Sequence, residues 1–530
     1  MPLAFVLNGV SVVVDADVER GESLLNVLRE RLGVVSAKDG CAPQGQCGCC
    51  TVLVDGEPRV ACVTPVARIE GRAVTTIEGL DESARVNAAT AFVASGGSQC
   101  GFCTPGIVMR FAGERVRDVD RSLAAHLCRC TGWLTVRDAI AGGHPGSPRD
   151  LQAAARRAAL EAGGAQRVDL DVPLGGAPFA DDTAPRDALV AVPLPPGSTA
   201  EAVEAAGLQW VIADSLLDAR ARAGKVQGRR TTVEARAPLL DRMPPCPPGG
   251  VRLATQWVEP AYLEPDASWC EPGGEPASPL ANAGAFGGKV RSAAPIAARE
   301  LADRFGRAVR VVYSREDVVR LGPKRPPIAA VAVVRDGVVE IDGVVVRGAG
   351  APRVWPAPAD VEVRARWTEV DVPGPPVSGD LRAVGLAEQA LLVAGALDRD
   401  VEVSTPSGAR AGAHVAVERG KVTRVDVRLA AGDPLDEVVL RSYAIGAAHM
   451  AVGWVTSEGL AVDTGTGEIH DLTIRSFGVL RAAETPQVTL TIVDDPAPAR
   501  ARSTDAVFAA VAAATWNSLG RPVTFPACRR

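Results

Sequence analysis

Nine of the twelve cysteines in this 530-residue chain fall between Cys41 and Cys130, and no other feature constrains its fold as strongly. They form two sets: Cys41, Cys47, Cys49, Cys50 and Cys62, then Cys100, Cys103, Cys128 and Cys130. Thiolates are soft ligands that suit zinc, Cu(I) or iron–sulfur clusters. A plant-type two-iron cluster takes C-x4-C-x2-C plus a distant fourth cysteine. The spacing here is Cys41-x5-Cys47-x2-Cys50, with Cys62 twelve residues further on, so the first interval is one residue longer. Gly40, Gly45 and Gly48 allow positive φ and a close backbone approach to a flat cluster.

Two other readings weigh against clusters. A disulfide framework belongs to secreted domains under about 100 residues, and this longer chain begins MPLAFVLNGVSVVV, without a basic n-region. A zinc ribbon asks for paired Cys-x2-Cys knuckles. Cys47/Cys50 and Cys100/Cys103 look like two, but Cys128-Arg129-Cys130 is too tight for another. Two iron–sulfur clusters are the better reading.

The segments DGCAPQGQCGCCTVLVDG (39–56), QCGFCTPG (99–106) and HLCRCTGW (126–133) carry a resemblance. They look like the paired 2Fe–2S domains of the xanthine dehydrogenase/aldehyde oxidoreductase family of molybdenum hydroxylases, from about Leu7 to Ile140. The extra residue before Cys47, and an interval of only 24 residues between Cys103 and Cys128, depart from the family pattern without removing a ligand. The resemblance implies one cluster on Cys41, Cys47, Cys50 and Cys62 and another on Cys100, Cys103, Cys128 and Cys130. Cys49 is then a spectator thiol, and Gln99 and Cys130 would lie closest to a pterin.

Net charge is −6, which gives no basic footprint for nucleic acid. No apolar run approaches the roughly 18 residues of a membrane span. Clustered reduced thiols without an export signal or twin-arginine pair point to the cytoplasm.

Phe5–Ala16 reads as a hairpin turning at Asn8-Gly9. Ser23–Leu32 has helical spacing with Gly33 as its stop, and Thr51–Val54 and Arg59–Val63 flank Asp55-Gly56 as a second hairpin. That order suits a β-grasp ferredoxin. Helices are expected at Ala88–Ser95, Gly106–Glu114 (with Pro105 at its start), Arg121–Leu127 and Val136–Ile140. The 142–149 run (GGHPGSPR) reads as a linker, followed by a helix over Asp150–Ala162. Strands are expected at Ala329–Val334, Gly343–Val346, Val422–Leu429 and Gln487–Val493. Helices follow at Pro295–Phe305, Leu386–Leu397, Arg441–Gly453 and Ser503–Asn517. The fold class is therefore α+β multidomain: residues 1–78 β-grasp, 79–145 a helical cluster-binding bundle, 146–170 a linker helix, and 171–530 a mixed α/β region. Each cluster is expected to be closed by its own local core.

AYLEPDASW (261–269), NAGAFGGK (282–289), SREDVVRLGPKRPP (314–327) and LRAVGLAEQ (381–389) resemble, in order, landmarks of the molybdopterin-binding subunit of the same family. NAGAFGGK fails as a phosphate-binding loop, since Ala283 replaces the first Gly and Val290 the Ser/Thr. It is either a pterin-site loop, with Phe286 and Gly287 near the metal by resemblance, or a Gly-rich turn kept for packing. The family places a carboxylate base in a Gly-x-Gly-Glu turn near the C-terminus. The matching stretch 496–505 reads PAPARARSTD, where Asp505 is the sole carboxylate and better suited to a helix start. Arg382 matches a substrate-orienting arginine. Without the base, residues 171–530 look like a degenerate, catalytically silent relative of that subunit. His126, His144, His414, His449 and His470 form no paired ligand motif, and Cys246, Cys270 and Cys528 stand alone.

The resemblance thus implies an iron–sulfur electron-transfer subunit with no catalytic residue of its own. Molybdopterin would sit on a catalytic partner subunit and FAD on another, with no nucleic acid or membrane partner. The alternatives are a self-sufficient molybdopterin-binding hydroxylase and a redox-sensing scaffold.

Overall fold

Asn8 and Gly9 take φ of 51° and 82°, the left-handed pair that a tight hairpin turn requires. Around them Pro2–Leu7 and Val10–Asp15 pair antiparallel, with Leu7 opposite Val10. The structure, a computed structural model, describes residues 2–19, 21–113, 118–142, 149–226, 228, 236–348, 361–379, 381 and 383–527. The first sheet has the order Val10–Asp15, Pro2–Leu7, Ala73–Thr75, Thr51–Val54, Glu57–Val60. Pro2–Leu7 and Ala73–Thr75 run parallel; the other pairings are antiparallel. Leu24, Val27 and Leu28 are fully buried on one helical segment, where Leu24–Asn26 continues as a π-turn over Val27–Arg31.

The second hairpin turns at Asp55-Gly56 as expected, but its return strand is Glu57–Val60 and not Arg59–Val63. Ala61–Val63 is a 3-10 turn instead, and Ala61 N–H donates to the Cys50 carbonyl. Leaving the strand there carries Cys62 back over the cysteine loop.

The helices after residue 80 are Glu82–Ser95, Thr104–Ala112, Val119–Leu123 and Leu134–Ile140. Pro105 lies in the first turn of its helix. Val119–Leu123 stops four residues before the expected Leu127, because Leu127 N–H donates to the Cys47 carbonyl at 2.9 Å. Within the expected linker, residues 143–148 lie outside the described residues. The following helix, Leu151–Ala162, is capped by the Asp150 carboxylate.

Beyond it, among the described residues, stand three sheets. In the five-stranded one, Leu189 and Ala191 face the Ala294–Phe305 helix while Val190 and Val192 face Leu216–Ala223, the alternation of a strand covered on both sides. Two four-stranded sheets hold the expected strands, seen as Ile328–Arg335, Val338–Val346, Lys421–Ala430 and Gln487–Ile492. The helices Val384–Leu397, Glu437–Thr456 and Thr504–Ser518 share one large core with them. By length and composition Glu437–Thr456 qualifies as a membrane span, contrary to the sequence reading; 83% of its apolar window is buried inside the protein.

Local closure of the cysteine region fails. Its core continues through Val172, Phe179, Trp257, Leu263, Leu460 and Phe477 of the later chain. Ion pairs seal the same contact: Arg29 with Asp181 and Asp182, and Arg310 with Glu30.

Candidate metal centre

Cys41, Cys47 and Cys50 lie on the loop that follows the first helical segment, and Cys62 comes from the 3-10 turn. All four are at most 3% exposed. The longer first interval closes with Ala42 and Gly45 in left-handed conformation, at φ of 47° and 67°, and Gly48 after Cys47 is left-handed too, at 74°. Asp39 supports the first of these turns by accepting from Ala42 N–H at 3.1 Å. The Cys41 thiol is hydrogen-bonded to Cys47 and Cys62, and Cys62 also to Cys50. Backbone N–H groups of Gln44 and Cys62 point at the sulfurs of Cys41 and Cys50, each at 3.4 Å. Such donors stabilise charge on thiolate ligands.

Cys103 caps the Thr104–Ala112 helix, where the dipole favours a thiolate, and Cys100 lies on the loop before it. Cys128 and Cys130 return on the loop that the shortened helix frees. Cys130 Sγ stands 3.7 Å from Cys100 Sγ, and Cys128 lies 3.1 Å from the Thr131 hydroxyl. The hydrogen bond between Cys103 and Cys128 lowers the Cys128 thiol and, with burial, raises that of Cys103.

In the first set the thiols link in a chain, Cys47–Cys41–Cys62–Cys50, and in the second they form two pairs, Cys100–Cys130 and Cys103–Cys128. Among the described residues no three His, Cys, Asp or Glu side chains gather about one point that holds a single metal ion. A zinc site wants four ligands about one point, whereas a two-iron cluster spreads its thiolates over two irons. The cradles fit as well: a Cβ on Gly284 would stand 2.5 Å from Cys130 Sγ, and one on Gly40 would stand 3.2 Å from Cys47 Sγ. The donor sets and the space around them suit 2Fe–2S clusters.

The two loops touch. Besides the Leu127–Cys47 hydrogen bond, a Cβ on Gly48 would meet His126 Nδ1 at 2.5 Å. His126 is buried and held neutral, pushed down to about 3 by burial and then by Arg110, whose Nε donates to it at 3.3 Å. Cys49, fully buried, faces both sets, within electrostatic reach of Cys41, Cys50 and Cys128.

Beside the second set opens a cavity of about 140 Å³, walled by Gln99, Cys100, Cys130, Phe286, Tyr443 and Glu161. Gln99 Nε2 donates to the Cys130 carbonyl at 3.1 Å and to Ser442 Oγ at 2.9 Å. Phe286 has a left-handed backbone, φ 51°. NAGAFGGK thus backs onto the second cysteine set, with Asn282 Nδ2 donating to the Cys100 carbonyl at 2.9 Å. Asp505 lies in the first turn of Thr504–Ser518, as expected, and also on the cavity wall. Glu161 was not foreseen. It accepts from Arg157, Ser503 and Thr504, reaching the head of that helix from 343 residues earlier in the chain, and no local pattern announces such a pairing. Arg382, His144 and Cys528 lie outside the described residues. His414, His449 and His470 sit on separate segments, as do Cys246 and Cys270, and among the described residues none joins a metal-ligand cluster.

Comparison with known proteins bears on the same stretch. The model of a [2Fe-2S] binding domain matches residues 76–141. The xanthine dehydrogenase iron-sulfur-binding subunit of Escherichia coli O157:H7 is 38% identical over 130 residues, covering 23% of this chain and 80% of that protein. The aldehyde oxidoreductase of Megalodesulfovibrio gigas is 38% identical over 146 residues, but the match spans only 25% of this chain and 16% of the relative. Over the whole chain the likeness is one of fold. The solved aldehyde oxidoreductase from Desulfovibrio gigas superposes with a TM-score of 0.70 at 15% identity, covering 100% of this chain and 99% of that one. The chain therefore has a mixed α/β multidomain fold resembling aldehyde oxidoreductase.

Proposed function

Because the chain belongs to the xanthine dehydrogenase/aldehyde oxidoreductase family of molybdenum hydroxylases, we propose that it is the iron–sulfur electron-transfer subunit of a multi-subunit enzyme of that family. Cys41, Cys47, Cys50 and Cys62 would hold one cluster and Cys100, Cys103, Cys128 and Cys130 the other. A bound 2Fe–2S cluster supplies one-electron transfer without moving a proton. The chain's own residues bury both ligand sets and hold them in contact. Gln99 fixes the Cys130 carbonyl beside the cavity, on the side where a molybdopterin-bearing partner would dock. The Cys41–Cys62 set would serve an FAD-bearing partner. In this reading residues 1–78 are a β-grasp ferredoxin-like domain, 79–145 a helical cluster domain and 146–170 a linker helix. Residues 171–530 are a degenerate relative of the molybdopterin-binding subunit, and the protein works in the cytoplasm.

The observation that carries the reading is the Leu127 N–H to Cys47 carbonyl bond, which joins the two ligand loops directly. The cavity beside Cys130 favours the rival, a self-sufficient hydroxylase. Its two wall carboxylates are already engaged, however: Glu161 accepts from four donor groups, and Asp505 is ion-paired with Arg502 at 3.0 Å. Metal analysis of the isolated chain decides. We expect four irons and four acid-labile sulfides per chain, since two centres carry two of each, with neither molybdenum nor tightly bound FAD. Stoichiometric molybdenum would overturn the reading in favour of the hydroxylase. Affinity capture that recovers no large molybdopterin subunit would favour a redox scaffold.

A further inference from the structure

The charges around the two cysteine sets are compensated unequally. Beside the second set, Arg129 is buried between Cys128 and Cys130 and neutralised by Glu458 through two hydrogen bonds, while Lys289 lies 3.6 Å from Glu264. Beside the first set, Lys38 is held by Asp182 at 2.5 Å and Asp39 by Arg220 at 3.1 Å. Glu316 reaches that loop through the amide of Gln44, 2.8 Å away.

Arg475 differs from all of these. Its Nε donates to the carbonyl of Gln46, the residue before Cys47, at 3.0 Å, and its Nη2 donates to the Ala124 carbonyl at 3.0 Å. Its main-chain N–H donates to Gln46 Oε1 at 3.2 Å. Every one of these acceptors is neutral. No carboxylate is paired with Arg475 among the described residues, and its half-buried charge acts on Cys47 and Cys41.

We propose that Arg475 is a charge-positioning residue that makes the centre on the first cysteine set the easier of the two to reduce, and so gives electron flow its direction. This rests on the reading that each set holds a 2Fe–2S cluster. In the step concerned, one electron leaves the second centre, which is oxidised by one unit, and enters the first, which is reduced by one. No bond or proton moves. The outer donor and acceptor are the molybdopterin and flavin of partner subunits. A fixed cation stabilises the more negative, reduced form of the cluster it faces, and more strongly where protein replaces water. A cation with its counter-ion in contact does so much less, because the two fields nearly cancel beyond the pair. Arg129 beside the second set is paired; Arg475 beside the first is not.

The test is a redox titration of the iron-loaded full-length chain, with the two centres followed separately by electron paramagnetic resonance. In Arg475→Gln the first centre should become harder to reduce, shifting the electron's equilibrium between the centres by roughly tenfold, about 59 mV for a one-electron couple. The second centre should not move, and Arg475→Lys should restore most of the separation. Arg475 also ties the loops together, so Arg475→Gln can fail to assemble the first centre. Ser476→Glu then decides, since it sets a carboxylate beside the arginine at an exposed position and keeps every hydrogen bond of Arg475. It should produce the same shift. An unchanged separation, with both centres present, overturns the role of Arg475 and leaves the electron-transfer reading standing. A chain that loads no pair of centres overturns both.

Discussion

Arg129 and Glu458, 329 residues apart in sequence, form a two-point ion pair with side chains 2% and 1% exposed, on the flank of the second cysteine set. Arg129 also donates to the Pro260 carbonyl at 3.2 Å and lies over the ring of Phe477. Removing one partner strands a buried charge, so Glu458→Ala should cost about 3–5 kcal/mol of stability. The double variant Arg129→Met/Glu458→Leu strands nothing and should lose much less. Denaturant unfolding measures both. A single variant no worse than the double would refute the pairing.

The same contact decides what truncation does. A chain ending near residue 150 loses Glu458, and with it Asn282, Gly284 and Ser442, which close over Cys100 and Cys130. We expect it to lose the second centre, contrary to the expectation of local closure. Gly284→Ala is the point-mutation equivalent, because its methyl would stand 2.5 Å from Cys130 Sγ. An intact second centre in both, by iron content and resonance spectra, would restore local closure.

Cysteine variants test the ligand register. Cys47→Ser and Cys103→Ser should each remove one spectroscopic centre and spare the other, while Cys49→Ser leaves both. Loss of the first centre in Cys49→Ser but not in Cys47→Ser would move the ligand by two positions.

In the assembled enzyme, Phe286→Ala and Arg382→Ala should leave turnover within about tenfold, because a transition-state contact is typically worth 10²–10³. Cys130→Ser should abolish turnover with an artificial acceptor. A hundredfold loss in Phe286→Ala, at unchanged cofactor content, would bring the C-terminal half into catalysis.

Burial pushes the Asp266 carboxyl up to about 6, even with the Ser292 hydroxyl donating to it at 2.8 Å. Between about pH 4 and 6 the folded chain therefore binds more protons than the unfolded one. Stability falls as pH rises through that window, by roughly 2–3 kcal/mol, and is flat above it. Asp266→Asn should remove the slope; an unaltered pH profile of unfolding would assign it to another group.

What the sequence by itself determined was local. Asn8-Gly9 and Asp55-Gly56 specify their turns through the left-handed φ those residues tolerate, and the spacing of Leu24, Val27 and Leu28 specifies a buried helical face. The two cysteine sets announce their chemistry because ligands crowded on short loops leave few alternatives. The helices of the C-terminal half were legible from runs of apolar residues long enough to be core. Tertiary structure decided the rest. Val119–Leu123 ends early because Leu127 is claimed by Cys47, and Cys62 leaves its strand to rejoin Cys50. NAGAFGGK, left by its sequence between a pterin-site loop and a packing turn, is the backbone that fits against Cys130, where any side chain on Gly284 would collide. The partners Glu161 with Thr504, Glu458 with Arg129 and Arg475 with Gln46 are each more than 300 residues apart. A buried charge takes whichever opposite or neutral group folding delivers, and no period or spacing along the chain encodes that choice.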